Sequence, residues 1–120
     1  MSRILVVDDE AFIRLYLEEV LADEGHEVRS ARDGAEALKL LEDSPPPDLI
    51  LLDLMMPRMN GWEFRDAQSA DPRLATIPVV LLSGAGDVQA EARKLGVAGF
   101  VTKHFLPAHL LHAIEQAAAA

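Results

Sequence analysis

Leu49-Ile50-Leu51-Leu52-Asp53 sets four apolar residues directly before a carboxylate, with Pro45-Pro46-Pro47 upstream and Pro57 and Gly61 downstream. An apolar run of that length bounded by turn signals reads as a buried strand. Three more runs follow the same rule: Ile4-Leu5-Val6-Val7 before Asp8-Asp9, Val79-Val80-Leu81-Leu82 before Ser83, and Gly99-Phe100-Val101-Thr102 before Lys103. Strands that are apolar throughout, without alternation, belong in a parallel sheet covered on both faces. Open parallel sheets bind their ligands outside the carboxyl ends of the strands, where these charged and hydroxyl residues fall. Asp8, Asp9, Asp53, Ser83 and Lys103 make three carboxylates, a hydroxyl and an ammonium, a set suited to magnesium and a phosphoryl group.

Helix-period segments alternate with these strands, as an α/β chain requires. Strand one is expected at 3–8. The helix after it, 10–24, carries Ile13, Tyr16, Leu17, Val20 and Leu21 as an apolar stripe. Gly25 marks its end. Strand two, His26 to Ser30, is short and polar and suits a sheet edge. Helix two spans 34–43 and buries Ala37, Leu38 and Leu41, after which the prolines form a stiff connector. Strand three, 48–53, is the most apolar and should be central. A helix is expected at 61–69, a turn at Asp71-Pro72, strand four from Pro78, and helix four at 87–95 with Asp87 as N-cap and Gly96 beyond its end. Strand five covers 98–102. A last helix has Pro107 in its first turn and packs Leu110, Leu111, Ile114 and Ala117.

The chain has 120 residues, half of them hydrophobic, which suits one domain (1–120) with a true core rather than disorder. Net charge is −9 and no basic run exceeds Arg93-Lys94, which argues against a nucleic-acid surface. Absence of cysteine excludes disulfides, thiolate catalysis and cysteine-based zinc sites. Met1-Ser2-Arg3 runs straight into a strand without a signal-peptide core, and no apolar stretch approaches the ~20 residues that span a bilayer. A cytoplasmic location is expected, with this chain as a stand-alone protein or the N-terminal part of a longer one.

Adjacent carboxylates such as Asp8 and Asp9 stay ionised more readily when a cation is shared between them. Mg²⁺ takes an octahedral oxygen shell built from one or two carboxylates, waters and phosphate oxygens. A carboxylate can also act as a nucleophile toward phosphorus. Lys103 and the Ser83 hydroxyl could then hold the oxygens of the transferring group.

The segment Asp53-Leu54-Met55-Met56-Pro57-Arg58-Met59-Asn60-Gly61 carries a resemblance. Together with Val6-Val7-Asp8-Asp9-Glu10, Ile77-Pro78-Val79-Val80-Leu81-Leu82-Ser83 and Lys103, it resembles response-regulator receiver domains over essentially the whole chain. The resemblance implies a doubly wound, flavodoxin-like (βα)5 fold with a five-stranded parallel sheet of order 2-1-3-4-5. Asp53 matches the phosphoacceptor, and Asp8 and Asp9 match the acid pair that binds Mg²⁺. Met55 matches the position whose backbone carbonyl ligates the metal. Ser83 matches the switch hydroxyl, Lys103 the site lysine, and Phe100 the aromatic whose rotamer follows the switch. The implied donor is a sensor histidine kinase or histidine phosphotransfer protein. A downstream effector would read the face made by helix four, strand five and helix five, with the domain a monomer or weak dimer that turns over no external substrate.

Each residue also has a plainer reading. Asp9 fits an N-cap for helix one, Asp53 a solvated strand end, Ser83 a turn residue, Lys103 a surface ammonium and Phe100 a core aromatic. Trp62 reads as a helix-start residue near the site, and His109 and His112 as a solvated face. A haloacid-dehalogenase-type phosphatase would need a second aspartate at Met55. A flavodoxin would not place Asp8-Asp9-Glu10 where its phosphate loop lies. A receiver-like module that works without phosphorylation is the remaining alternative.

Two departures from the family pattern bear on behaviour. His104 stands where proline usually follows the lysine, and a cis bond before a non-proline residue costs ~2.5–4 kcal/mol, so a trans Lys103–His104 peptide is expected. Met55 and Ala85 occupy positions that tune phosphoryl lifetime, and neither side chain can orient a water. An aspartyl phosphate that is not especially short-lived is expected.

Overall fold

The computed structural model describes residues 2–84, 88–103 and 107–119, without the side chains of Val88 and Ala119. Five strands alternate with five helices: β1 (Arg3–Val7), α1 (Ala11–Asp23), β2 (Glu27–Ala31), α2 (Gly34–Asp43), β3 (Leu49–Asp53), α3 (Gly61–Ala70), β4 (Val79–Ser83), α4 (Val88–Leu95), β5 (Gly99–Thr102) and α5 (Pro107–Ala119). All pairings are parallel and the sheet order is β2-β1-β3-β4-β5. This is the doubly wound, flavodoxin-like order that the resemblance implies.

Period-two alternation explains why the three central strands carry no polar face. Along β1, β3 and β4, Leu5, Val7, Ile50, Leu52, Val79 and Leu81 pack under α2, α3 and α4 with Ala37, Leu41, Phe64 and Ala92. Their neighbours Ile4, Val6, Leu49, Leu51, Val80 and Leu82 pack on the opposite face with Leu17, Leu21, Leu110 and Ile114 from α1 and α5. Burying both faces excludes water from the sheet, so the strand ends are where polar chemistry can meet solvent. No helix among the described residues is long and apolar enough to cross a membrane.

The helix ends show how local sequence sets the boundaries. Helix α1 stops at a left-handed glycine: Gly25 has φ 84, and the Gly25 and His26 N–H groups donate to the Ala22 and Leu21 carbonyls. That pairing is the Schellman arrangement, which glycine permits without Cβ strain. Asp33 caps α2 by accepting from the Glu36 N–H at 2.9 Å, and Asn60 and Glu63 form a capping box on α3. Helix α1 starts within a residue of expectation, but the plainer reading of Asp9 as its cap does not hold. The N-cap is Glu10, which makes no side-chain capping bond, so Asp9 does not cap this helix. The expected Asp87 cap, the Lys103–His104 peptide and Ala85 all lie outside the described residues.

Candidate functional site

Parallel register brings the ends of β1, β3, β4 and β5 to one edge of the sheet. Val7 pairs with Leu52, Asp53 with Leu82, and Ser83 with Thr102. Asp8 therefore leaves β1 beside the residue that closes β3, and Lys103 leaves β5 beside the end of β4, where its N–H donates to the Ser83 carbonyl at 2.7 Å. Side chains from positions 8, 10, 53 and 103 converge there. The Lys103 ammonium lies 3.4 Å from Asp53 Oδ2 and 3.2 Å from Asp8 Oδ2, and it also pairs with the Glu10 carboxylate. Asp8, Asp53 and Ser83 are buried, whereas Asp9 and Glu10 face solvent.

Neighbouring groups orient the carboxylates. Asp8 Oδ1 accepts from the Glu10 N–H at 2.9 Å, while Arg14 Nη1 donates to the Asp8 carbonyl at 2.7 Å. Asp53 Oδ1 takes a long bond, 3.4 Å, from the Met55 N–H. Just beyond, the Gly61 N–H donates to the Leu54 carbonyl, and a Cβ on Gly61 would sit 2.5 Å from the Asp53 carbonyl oxygen. Only hydrogen fits at that position, so this glycine lets α3 start directly against the strand that carries Asp53.

The charge balance is unfavourable as it stands. Burial and the adjacent Asp8 charge raise the Asp53 pKa to about 7, and a hydrogen bond with the Asp9 carboxyl favours the protonated form further. Burial also raises Asp8 against the opposing pull of the Glu10 N–H and Lys103. For Lys103, burial disfavours the ammonium, yet the bond to Glu10 and the Asp8 and Asp53 charges outweigh it and hold the group protonated. One cation thus faces three acids within reach, leaving a net negative site.

A hard divalent cation fits this edge on three counts. Carboxylate oxygens of Asp8, Asp9 and Glu10 lie within 4.8 Å of one another. Asp8 Oδ2 is buried and accepts no hydrogen bond among the described residues, although the Lys103 ammonium is close by. That ammonium is shared with Glu10 and Asp53, which leaves the buried oxygen weakly served. All the donors are oxygen, the preference of Mg²⁺.

Of the residues singled out from sequence, Asp8, Asp53, Ser83 and Lys103 meet at this edge and Asp9 lies on its rim. Met55 also borders it, with its side chain 70 % exposed and its N–H turned to Asp53. Phe100 sits on β5 opposite Leu81, and at 39 % exposure it is not the core aromatic that strand placement suggested. Trp62 does more than open a helix: its indole N–H donates to Glu91 at 2.9 Å and ties α3 to α4. Glu10 was not picked out as a site residue, and its only sequence signal is its place directly after the acid pair.

A doubly wound parallel sheet with an acidic, lysine-bearing carboxyl edge defines a class of α/β domains built to handle a cation and an anionic group. The chain belongs to the response regulator receiver domain family, whose profile matches residues 4–115. It is 39 % identical over 116 residues to the transcriptional regulatory protein PdtaR of Mycobacterium tuberculosis, covering 96 % of this chain and 56 % of that protein. It is 33 % identical over 117 residues to the chemotaxis protein CheY of Thermotoga maritima, covering 96 % of each. The structure of Vibrio cholerae CheY4 superposes with a TM-score of 0.89 at 32 % identity, covering 98 % of both chains. The chain thus spans about half the length of its mycobacterial relative. Receiver domains are phosphoryl-accepting switch domains rather than enzymes acting on an external substrate.

Proposed function

We propose that residues 1–120 form one receiver domain in which Asp53 accepts a phosphoryl group from the phosphohistidine of a sensor histidine kinase or a histidine phosphotransfer protein. The observation that carries this reading is the buried Asp53 carboxylate, held beside Lys103 and beside a buried Asp8 carboxylate that shares the same ammonium. Asp8, Asp9 and Asp53, with the Met55 carbonyl, would hold Mg²⁺. Bound there, the ion would neutralise charge on the transferring group.

The chain's own residues account for the rest. Asp53 must be ionised to attack, and its raised pKa means that nearby positive charge controls how much of the nucleophile is present. One Asp53 oxygen forms the new bond to phosphorus as the phosphorus–nitrogen bond breaks, and the imidazole nitrogen leaves with the bonding pair. Lys103 is placed to follow the charge from the Asp53 carboxylate to the phosphoryl oxygens, exchanging its pairing with Glu10 and Asp8 for the new anion. The Ser83 hydroxyl, on the neighbouring strand end, donates to another phosphoryl oxygen. That movement draws the β4 end inward and gives Phe100 a reason to change rotamer, altering the α4–β5–α5 face that an effector reads. Exposed Phe12 and Leu15, on the first turns of α1 next to the acids, offer the donor an apolar foothold.

Incubation with acetyl phosphate tests the acceptor assignment. Uptake of one phosphoryl group should require Mg²⁺ and should vanish in Asp53→Asn. Uptake that persists in that variant would assign the acceptor elsewhere. In Lys103→Ala, uptake should slow by about 10²-fold or more, the scale of losing a charged stabiliser of the reacting group.

A further inference from the structure

The loop that joins β3 to α3, residues 54–60, is tied down at a point remote from Asp53 by contacts that the phosphoryl chemistry does not use. Arg58 has φ 64, the only positive φ at a non-glycine position among the described residues. A side chain crowds the backbone there, and such conformations persist only where the surroundings over-determine them, often at functional sites. Here the surroundings are the start of α2. Arg58 Nε and Nη2 lie 2.7 and 2.6 Å from Asp33 Oδ2. The other Asp33 oxygen caps α2 at the Glu36 N–H. Asp33 is buried although the guanidinium is largely exposed.

The next residue repeats the attachment. The Gly34 N–H donates to the Met59 carbonyl at 3.0 Å, and a Cβ on Gly34 would fall 2.6 Å from Met59 Cγ. At the other end of the loop, Gly61 holds the Leu54 carbonyl. Met55 lies between these anchors, and its N–H is the group that reaches Asp53 Oδ1.

We propose that the Asp33–Arg58 ion pair is a positioning device for phosphoryl acceptance. By pinning residues 58 and 59 to the start of α2, it fixes the Met55 N–H against Asp53 Oδ1 and so sets the direction in which the second carboxylate oxygen faces the donor. The inference rests on the reading of Asp53 as acceptor. Neither Asp33 nor Arg58 touches the reacting atoms; both act through the loop. Loop stability alone would not need the pair, because glycine at position 58 would relieve the left-handed conformation without any partner.

The test compares the wild-type chain with Arg58→Gly, Arg58→Lys and Asp33→Asn. Asparagine keeps an oxygen to cap α2 while losing the charge. Three quantities are read: hydrogen exchange at the Met55 amide without Mg²⁺, acetyl phosphate uptake resolved into KM and the saturating rate constant, and the urea midpoint. In Arg58→Gly the midpoint should stay near wild type, since strain and pair are lost together. Met55 exchange should rise about tenfold, and the saturating rate should fall about tenfold with KM changed less than about twofold, the signature of a misplaced nucleophile. Arg58→Lys should recover part of both effects, and Asp33→Asn should match Arg58→Gly in exchange and uptake but with a lower midpoint, since the strain at Arg58 stays while the pair is lost. Wild-type exchange and uptake in Arg58→Gly would overturn the proposal, as would a lowered midpoint with Met55 exchange unchanged. Should Asp33→Asn not fold, Arg58→Gly decides alone. If the wild-type chain takes up no phosphoryl group, the acceptor reading fails, and the Met55 amide still decides whether the pair positions the loop.

Discussion

Asp53 combines burial with a nearby like charge, and its behaviour should be visible in stability as well as in chemistry. Its pKa is about 7 in the folded chain against an ordinary 3.8. Between those values the folded state holds a proton that the unfolded chain has released, so this group makes stability fall as pH rises through that window. Without divalent cations, Asp53→Asn should therefore be more stable than wild type at pH 8, by on the order of 2 kcal/mol, and nearly equal to it below pH 4. Urea melts in a chelating buffer at both pH values measure this, and a variant less stable at pH 8 would contradict the charge assignment. Gly61 sets a second limit at this scale. With only 2.5 Å between a Cβ and the Asp53 carbonyl oxygen, Gly61→Ala must push α3 off the strand end. The expected loss is about 1–3 kcal/mol, the range for overpacking a tight site, with slower phosphoryl uptake from the displaced Asp53. A neutral alanine would mean that the helix start yields easily.

Helix α3 braces α4 through polar contacts spaced along it. Trp62 holds Glu91 and Arg65 donates to the Leu95 and Gly96 carbonyls at 3.2 and 3.4 Å, while Gln68 holds the connection to β4 through the Leu74 and Ile77 carbonyls. Arg65 thus serves the Leu95 and Gly96 carbonyls, beyond the Ala92 and Arg93 carbonyls that the Val97 and Gly96 N–H groups already satisfy. Arg65→Ala should cost about 1–2 kcal/mol and speed amide exchange in the last turn of α4 more than in α1. Equal effects in both helices would mean that the brace is not local. Periodicity made the strands and most helices readable, because each central strand ends its apolar run at a charged or hydroxyl residue. It could not reveal the brace, since Trp62 and Glu91 are 29 residues apart and meet only through helix packing. It placed the start of α1 within a residue but not its cap: Asp9 is a good capping residue by type, yet the cap is Glu10, without a side-chain bond.

At the scale of the whole molecule, a parallel sheet converts four separate strand ends into one site. Asp8 and Lys103 are 95 residues apart and reach 3.2 Å because β1 and β5 run in the same direction across the sheet. Order and spacing of the motifs made the strands and the residues gathered at their carboxyl ends legible. Glu10 was not, because its pairing with Lys103 depends on where the last strand leaves the sheet. The strained backbone at Arg58 has no sequence signature either, as arginine is not a residue type that announces a left-handed turn. The cluster of Asp8, Asp9 and Glu10 oxygens at this edge suits a divalent cation. The most direct measurement is intact mass after incubation with acetyl phosphate, with and without Mg²⁺, on wild type and Asp53→Asn. A gain of one phosphoryl group that requires both Mg²⁺ and Asp53 is the predicted result. No gain under any condition would contradict the acceptor assignment and leave a receiver-like module that works without phosphorylation.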